Sequence, residues 1–309
     1  MRRPQAWRGR HERPPYRRQS RPCPFRRVSR LCSGGPRCGV PGARSGSGFH
    51  RLYQALRRND GRRPRQPCRA RGAFDCTGEA ETLDLYPAGE GAPLFVYIHG
   101  GYWRLLGRED SGFMAPAFVQ AGCAVAALNY GLAPAVTLDE IVRQCRAAVA
   151  WLWREAERFG IDHRRILVGG SSAGGHLTGM LLARGWQADF GLPEDAVAGG
   201  MAASGLFDLE PIRLSEINGW MNLDAEAARR NSPLFHVPED AGTPLVLTVG
   251  GHEQGEFKRQ TAEYAGAWRA AGNPVHEVPA PDRHHFDVVL DLADPSSALF
   301  EATMRMTGR

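Results

Sequence analysis

Lysine is almost missing from this chain. Of 39 basic side chains in 309 residues, 38 are arginine and one, Lys258, is lysine, an imbalance that fits a GC-rich coding sequence. Also missing is any apolar run near the roughly 18 residues that would span a bilayer. No apolar segment follows a basic start in the manner of a secretory leader, so neither a membrane span nor a signal peptide is expected. Cysteine is scarce too. Four of the seven, Cys23, Cys32, Cys38 and Cys68, lie early in the chain at spacings that match no zinc template. An odd count without a leader argues against a disulfide framework. Cys123 and Cys145 sit among apolar residues and read as buried thiols, so a reducing, cytoplasmic setting is expected.

Acidic residues are scarce in one region in particular. Up to Gly72 there are 21 arginines against two acids, Glu12 and Asp60, so the overall charge of +6 hides about +19 in this stretch and about −13 in the remainder. Residues 1–72 hold too few aliphatics to bury a core and read as a disordered Arg/Pro/Gly-rich tail ahead of a domain over 73–309. Three accounts of the tail compete. A nucleic-acid arm would carry aromatic interleaving or RGG repeats, which are missing. A transit peptide would present an amphipathic apolar face, also missing. A mis-assigned start or a frameshift in GC-rich DNA yields this composition directly, and we favour it. Neither nucleic acid nor membrane is therefore an expected partner, and self-association as a homodimer is left open.

Beyond the tail the chain alternates between two patterns. Short apolar runs at 82–86, 94–98, 123–128, 165–168, 199–204, 244–251 and 275–278 read as strands. Between them, 138–159 carries Ile141, Val142, Cys145, Val149, Leu152 and Trp153 at near-helical spacing with Gly160 behind, and 257–271 is a second helix closed by Gly272. Strands alternating with helices predict an α/β fold, a mostly parallel central sheet with helices on both faces. Chemistry in such folds gathers at the strand C-termini.

Two glycine-flanked strings lie at those strand ends. Gly170-Ser171-Ser172-Ala173-Gly174 is a G-x-S-x-G elbow between a strand and a helix. There the backbone is strained, and the hydroxyl of Ser172 is presented over the sheet at a helix N-terminus that favours a developing anion. Ser171 reads as a turn serine. His99-Gly100-Gly101-Tyr102-Trp103 follows an earlier strand, and its glycines let backbone N–H groups point inward. Gly100, Gly101 and Ala173 are the expected oxyanion donors. Tyr102 and Trp103 are candidates to line a pocket for an aromatic group, with packing in the core or a lid as the competing role. His99 is expected to order its own loop.

An activated serine needs a base, and the base needs an orienting acid. After the strand at 244–251, Glu253 lies nearest the strand end and is the leading acid. Glu256, in the first turn of the next helix, is its rival. After the last strand comes Asp282-Arg283-His284-His285-Phe286-Asp287, where one of His284 and His285 is the base, His285 being the choice. His252 and His276 read as surface or core histidines, and Asp208 as structural. Trp220, Asn222 and Asn231-Ser232-Pro233 read as parts of a cap-like insertion.

Taken together, His99-Gly-Gly-Tyr-Trp103, Gly170-Ser-Ser-Ala-Gly-Gly-His-Leu177, Ser204-Gly-Leu-Phe-Asp-Leu-Glu-Pro211, Asn231-Ser-Pro233, Glu256-Phe-Lys-Arg-Gln260 and His285-Phe-Asp287 resemble the arylformamidase (kynurenine formamidase) family of α/β-hydrolases. The resemblance runs from about Thr82 to about Leu292. It implies an α/β-hydrolase fold with Ser172 as nucleophile, His285 as base and Glu253 where many relatives have aspartate. It also implies a small aromatic formamide or ester as substrate, N-formyl-L-kynurenine foremost, with no metal or cofactor. The ordered N-terminal segment usual in the family is unrecognisable here. A broad carboxylesterase on the same scaffold is the alternative function. A non-catalytic protein using the basic tail ranks below both, because Ser172, an acid and His285 are all present.

Overall fold

The apolar runs become a parallel sheet because both of their faces are covered. In β2 (Ala92–Ile98) all seven residues are buried, as are all five of β3 (Ala124–Leu128). A half-solvated strand would alternate with polar residues instead. The structure, a computed structural model, describes residues 80–308. The tail expected over 1–72 lies outside the described residues.

In chain order the main elements are β1 (Leu83–Tyr86), β2, α1 (Ala115–Gln120), β3, α2 (Leu138–Glu155), β4 (Ile161–Ser171), α3 (Ala173–Leu182) and β5 (Gly199–Ala203). Three short helices follow, α4 (Glu210–Arg213), α5 (Asn218–Met221) and α6 (Ala225–Arg230). Then come β6 (Leu245–Gly250), α7 (Gly255–Ala270), β7 (Val275–Ala280) and α8 (Ala298–Arg305). The seven strands are ordered β1-β3-β2-β4-β5-β6-β7. β1 alone is antiparallel, pairing Leu83 with Leu128 and Tyr86 with Val125. The other five pairings are parallel.

Side chains alternate across this sheet and build a core layer on each face. Leu94, Val96 and Ile98 join Ala126, Ile166, Val168 and Leu247 under α2, α3 and α7. Phe95 and Tyr97 join Val125, Leu167 and Val246 under α1 and α8. Helix α2 begins at Thr137, whose hydroxyl caps the Glu140 N–H, with Asp139 and Glu140 in its first turn. Both features suit the positive end of the helix dipole. Its apolar stripe of Ile141, Cys145, Ala148 and Leu152 faces the sheet. Cys145 and Cys123 are both buried free thiols.

Two outcomes differ from the sequence reading. β4 extends far ahead of its apolar stretch, taking in Asp162, His163 and Arg164. Its pairing with β2 slips there, Ala92 opposing Ile161 and Leu94 opposing Ile166. That offset is a bulge, which periodicity does not reveal. Helices α1 and α8 also go unanticipated, because both are short. They nevertheless carry a full face of the core through Phe118 and Phe300, whose rings meet edge-on at 4.9 Å. No helix among the described residues is long and apolar enough to cross a membrane.

Candidate active site

Ser172 occupies the step from β4 to α3 with φ +57° and ψ −117°. This left-handed conformation is costly for a residue with a Cβ, and it persists because the surroundings hold it. The Ser172 N–H donates to the Ala203 carbonyl at the end of β5, 2.9 Å away. The following helix sits so close to β2 that a Cβ on Gly174 would run into the Ile98 carbonyl oxygen. Ser172 is thus pinned at the C-terminal edge of the sheet.

The His99–Trp103 loop lies against it. A Cβ on Gly100 would come within 2.8 Å of the Ser171 oxygen and 3.3 Å of the Ser172 Cβ, so only glycine allows this approach. Gly101 (φ +93°) turns the chain, its carbonyl accepting the N–H groups of Arg104 and Leu105 at 3.0 Å each. Among the described residues the Gly100 and Gly101 N–H groups have no acceptor. The Ala173 N–H belongs to the first turn of α3, where no intrahelical acceptor exists. Gly100 thus abuts Ser172, Gly101 follows it in the same loop, and Ala173 directly follows Ser172 in the chain.

Buried side chains fix this loop. Tyr130 donates its hydroxyl to the His99 carbonyl (3.0 Å) and reaches the Gly100 carbonyl at 3.3 Å. Its ring stacks on His99 at 4.0 Å. The His99 Nδ1–H donates to the Gly100 carbonyl at 3.0 Å, leaving Nε2 buried without a partner among the described residues. Of the two roles open to Trp103, the structure shows packing in the core. It is fully buried, its indole N–H donates to His176 Nδ1 at 3.2 Å, and its ring meets that imidazole edge-on. It holds the loop from beneath instead of lining a pocket. His176 in turn donates from Nε2 to the Asn231 carbonyl at 2.7 Å. Burial depresses His99 and His176 to about 4, so both rings are neutral at pH 7. Tyr102 is half-buried, and burial raises its phenol.

The acid and base meet at the ends of β6 and β7. His285 Nδ1 lies 2.7 Å from Glu253 Oε2. The other carboxylate oxygen accepts the Ser204 hydroxyl at 2.5 Å and the Gly250 N–H at 2.6 Å. Burial would raise the Glu253 carboxyl, but the bonds from His285, Ser204 and Gly250 outweigh it and hold the group below its ordinary value. A carboxylate so placed keeps the proton of His285 on Nδ1 and leaves Nε2 as the basic nitrogen. Phe257 packs on the imidazole at 4.3 Å.

The rivals point elsewhere. Glu256 takes Arg259 and Gln260 as partners, and the Arg259 bond, against a smaller effect of burial, keeps its carboxyl low. His284 is half-exposed and faces Asp287 at 3.3 Å. Ser204, 49 residues from Glu253, carries no role in the sequence reading. No local signal marks it beyond its place at a strand end. Ser172 Oγ has no hydrogen-bond partner among the described residues, so the serine–histidine bond is not made in this conformation. Such bonds are often long before substrate arrives. Among the described residues no cluster of three or more His, Cys, Asp or Glu is arranged to hold a metal.

A serine elbow, a glycine loop against it and a carboxylate-held histidine, each on a loop after a parallel strand, define an α/β-hydrolase. The BD-FAE family profile matches residues 83–192. A kynurenine formamidase from Salmo salar is 32% identical over 240 residues, 75% of this chain and 80% of that protein. One from Danio rerio is 31% identical over 238 residues, 75% of this chain and 79% of that protein. A solved structure from Silicibacter sp. TM1040, provisionally described as a thioesterase, superposes with a TM-score of 0.65 at 30% identity, covering 82% of this chain and 88% of that one. The chain belongs to the kynurenine formamidase family and is a hydrolase.

Proposed function

We propose that this protein hydrolyses an aryl formamide, N-formyl-L-kynurenine, to formate and L-kynurenine, a step of tryptophan breakdown. Ser172 Oγ attacks the formyl carbon while His285 Nε2 takes its proton. The Gly100, Gly101 and Ala173 amides hold the oxyanion, a contribution in which each donor is typically worth roughly 10²–10³ in turnover. His285 then gives its proton to the departing aryl amine. Water, activated by the same imidazole, attacks the formyl-serine, formate leaves and Ser172 recovers its proton. Every step uses this chain's own groups. The cytoplasm is the compartment we assign.

The observation that carries the reading is the 2.7 Å pairing of His285 with Glu253 on the same sheet edge as the strained Ser172. The named activity of the fish relatives supports the formamide. A second reading, ester or thioester hydrolysis by the same triad, is favoured by the thioesterase description of the Silicibacter neighbour.

The test is kcat/KM on N-formyl-L-kynurenine beside a short-chain p-nitrophenyl ester, with Ser172→Ala as the blank. A strong preference for the formamide, lost in the variant while its circular dichroism is kept, is expected. Ester turnover with little formamide hydrolysis would move the assignment to the second reading, and activity retained by Ser172→Ala would remove the triad.

A further inference from the structure

Most arginines among the described residues lie within 4.0 Å of a carboxylate, as Arg108, Arg143, Arg213, Arg230 and Arg283 do. Arg104 is an exception placed three residues beyond the oxyanion loop's turning glycine. Its guanidinium lies over the ring of Trp220, 4.9 Å from the centroid, and it has no carboxylate partner among the described residues. Stacking on an indole satisfies the face of a guanidinium and leaves its in-plane N–H groups free for a planar, bidentate anion.

The stack is tied to the reaction centre by the backbone. The Arg104 N–H returns to the Gly101 carbonyl at 3.0 Å, one residue beyond Gly100, which abuts Ser172. Trp220 comes from α5, in the insertion between β5 and β6, and its indole N–H reaches the Tyr102 carbonyl at 3.4 Å. The insertion and the oxyanion loop therefore hold Arg104 jointly. Tyr102, Trp103 and Leu106 all have positive φ, so this short stretch is shaped by its contacts and not by local preference.

We propose that the exposed Arg104, braced on Trp220 beside the oxyanion loop, is an anion-recognition residue and holds the carboxylate of an aromatic substrate whose scissile carbonyl lies at Ser172. This rests on the triad reading above, but not on the formamide. It deepens that reading by making charge on the leaving group, and not aromaticity alone, the basis of selection.

Two matched pairs of substrates test it. N-formyl-L-kynurenine is set against neutral formanilide, and 3-acetoxybenzoate against neutral phenyl acetate, with wild type, Arg104→Met and Arg104→Lys. The ratio of charged to neutral kcat/KM is expected to fall about tenfold or more in Arg104→Met, the scale of one hydrogen bond between ionised groups. The fall is expected mainly in KM, with partial recovery in Arg104→Lys. An unchanged ratio in Arg104→Met overturns the proposal. So does an equal loss on both members of a pair, which would make Arg104 a support of the loop. Should Arg104→Met fail to fold, Arg104→Gln is read in the same way. A wild type that hydrolyses only the esters defeats the formamide reading while the ester pair still decides Arg104. A folded wild type inactive on all four substrates overturns both.

Discussion

Glu253 and Glu256 stand within one helical turn of each other in sequence yet have opposite fates, and the reason is local. Glu253 lies in the turn that closes β6, where Gly250 can present its N–H only because it lacks a side chain. A Cβ there would meet the Arg283 carbonyl oxygen at 2.5 Å and Glu253 Oε1 at 3.1 Å. Glu256 is already on α7 and is taken up by Arg259 and Gln260. Replacing Glu253 by Gln keeps the shape but removes the charge that orients and stabilises the imidazolium. A loss of about 10³–10⁴ in kcat is expected, as in other triads. Glu256→Gln breaks an exposed pair worth at most about 1 kcal/mol of stability and should leave kcat within a few-fold. Ser204→Ala removes one of the two donors to Glu253 Oε1 and should cost about tenfold in kcat, the worth of one hydrogen bond to a charged group. Steady-state kinetics on the three variants check the order, and equal losses from Glu253→Gln and Glu256→Gln would leave the acid unassigned.

At the scale of elements, the site is held by pairings between residues far apart in sequence. Trp103 and His176 are 73 positions apart, and His176 and Asn231 are 55 apart. They join the oxyanion loop, α3 and the insertion into one unit. Trp103→Phe preserves most of the buried ring but strands the acceptor at His176 Nδ1. We expect about 1–3 kcal/mol of lost stability together with a lower kcat, because the loop bearing the Gly100 and Gly101 amides loses its anchor. Urea midpoints and kcat measure the two effects, and a stability loss with kcat unchanged would show that the loop does not need this bond. The same geometry explains what is legible in the sequence. Strands buried on both faces write themselves as continuous apolar runs. The elbow and the His-Gly-Gly loop are legible because glycine is required where backbones nearly touch. Both acid candidates and both base candidates are visible for the same reason, each following a strand. The Ser204–Glu253 and Trp103–His176 pairings are not, because they depend on which strand ends become neighbours. Trp103 is open to misreading, since an aromatic after an oxyanion loop looks the same in sequence whether it faces a ligand or the core. Helices α1 and α8 escape because a short apolar helix has too few turns to show a period.

The whole molecule carries a pH response that these buried rings determine. His99 and His176 are both neutral in the folded state, each with pKa depressed from 6.5 to about 4, chiefly by burial. Protonating His99 would create a charge with one N–H buried and unpartnered. Protonating His176 would turn Nδ1 into a second donor facing the indole N–H of Trp103. The unfolded chain carries no such penalty and takes up both protons near pH 6.5. Between about pH 6.5 and 4 the unfolded state therefore binds more protons than the folded one, so stability rises with pH and falls on acidification. Each ring contributes about 1.4 kcal/mol per pH unit inside that window. From pH 6.5 to 5, above the range where most carboxylates protonate, the two together should remove about 3–4 kcal/mol. Urea unfolding at half-unit intervals gives the curve, and His176→Gln should have about half its slope. A flat curve over this window would mean that both rings are charged in the folded protein, and half the expected slope that one of them is. A charged His176 would carry a proton on Nδ1 and could no longer accept the indole N–H of Trp103.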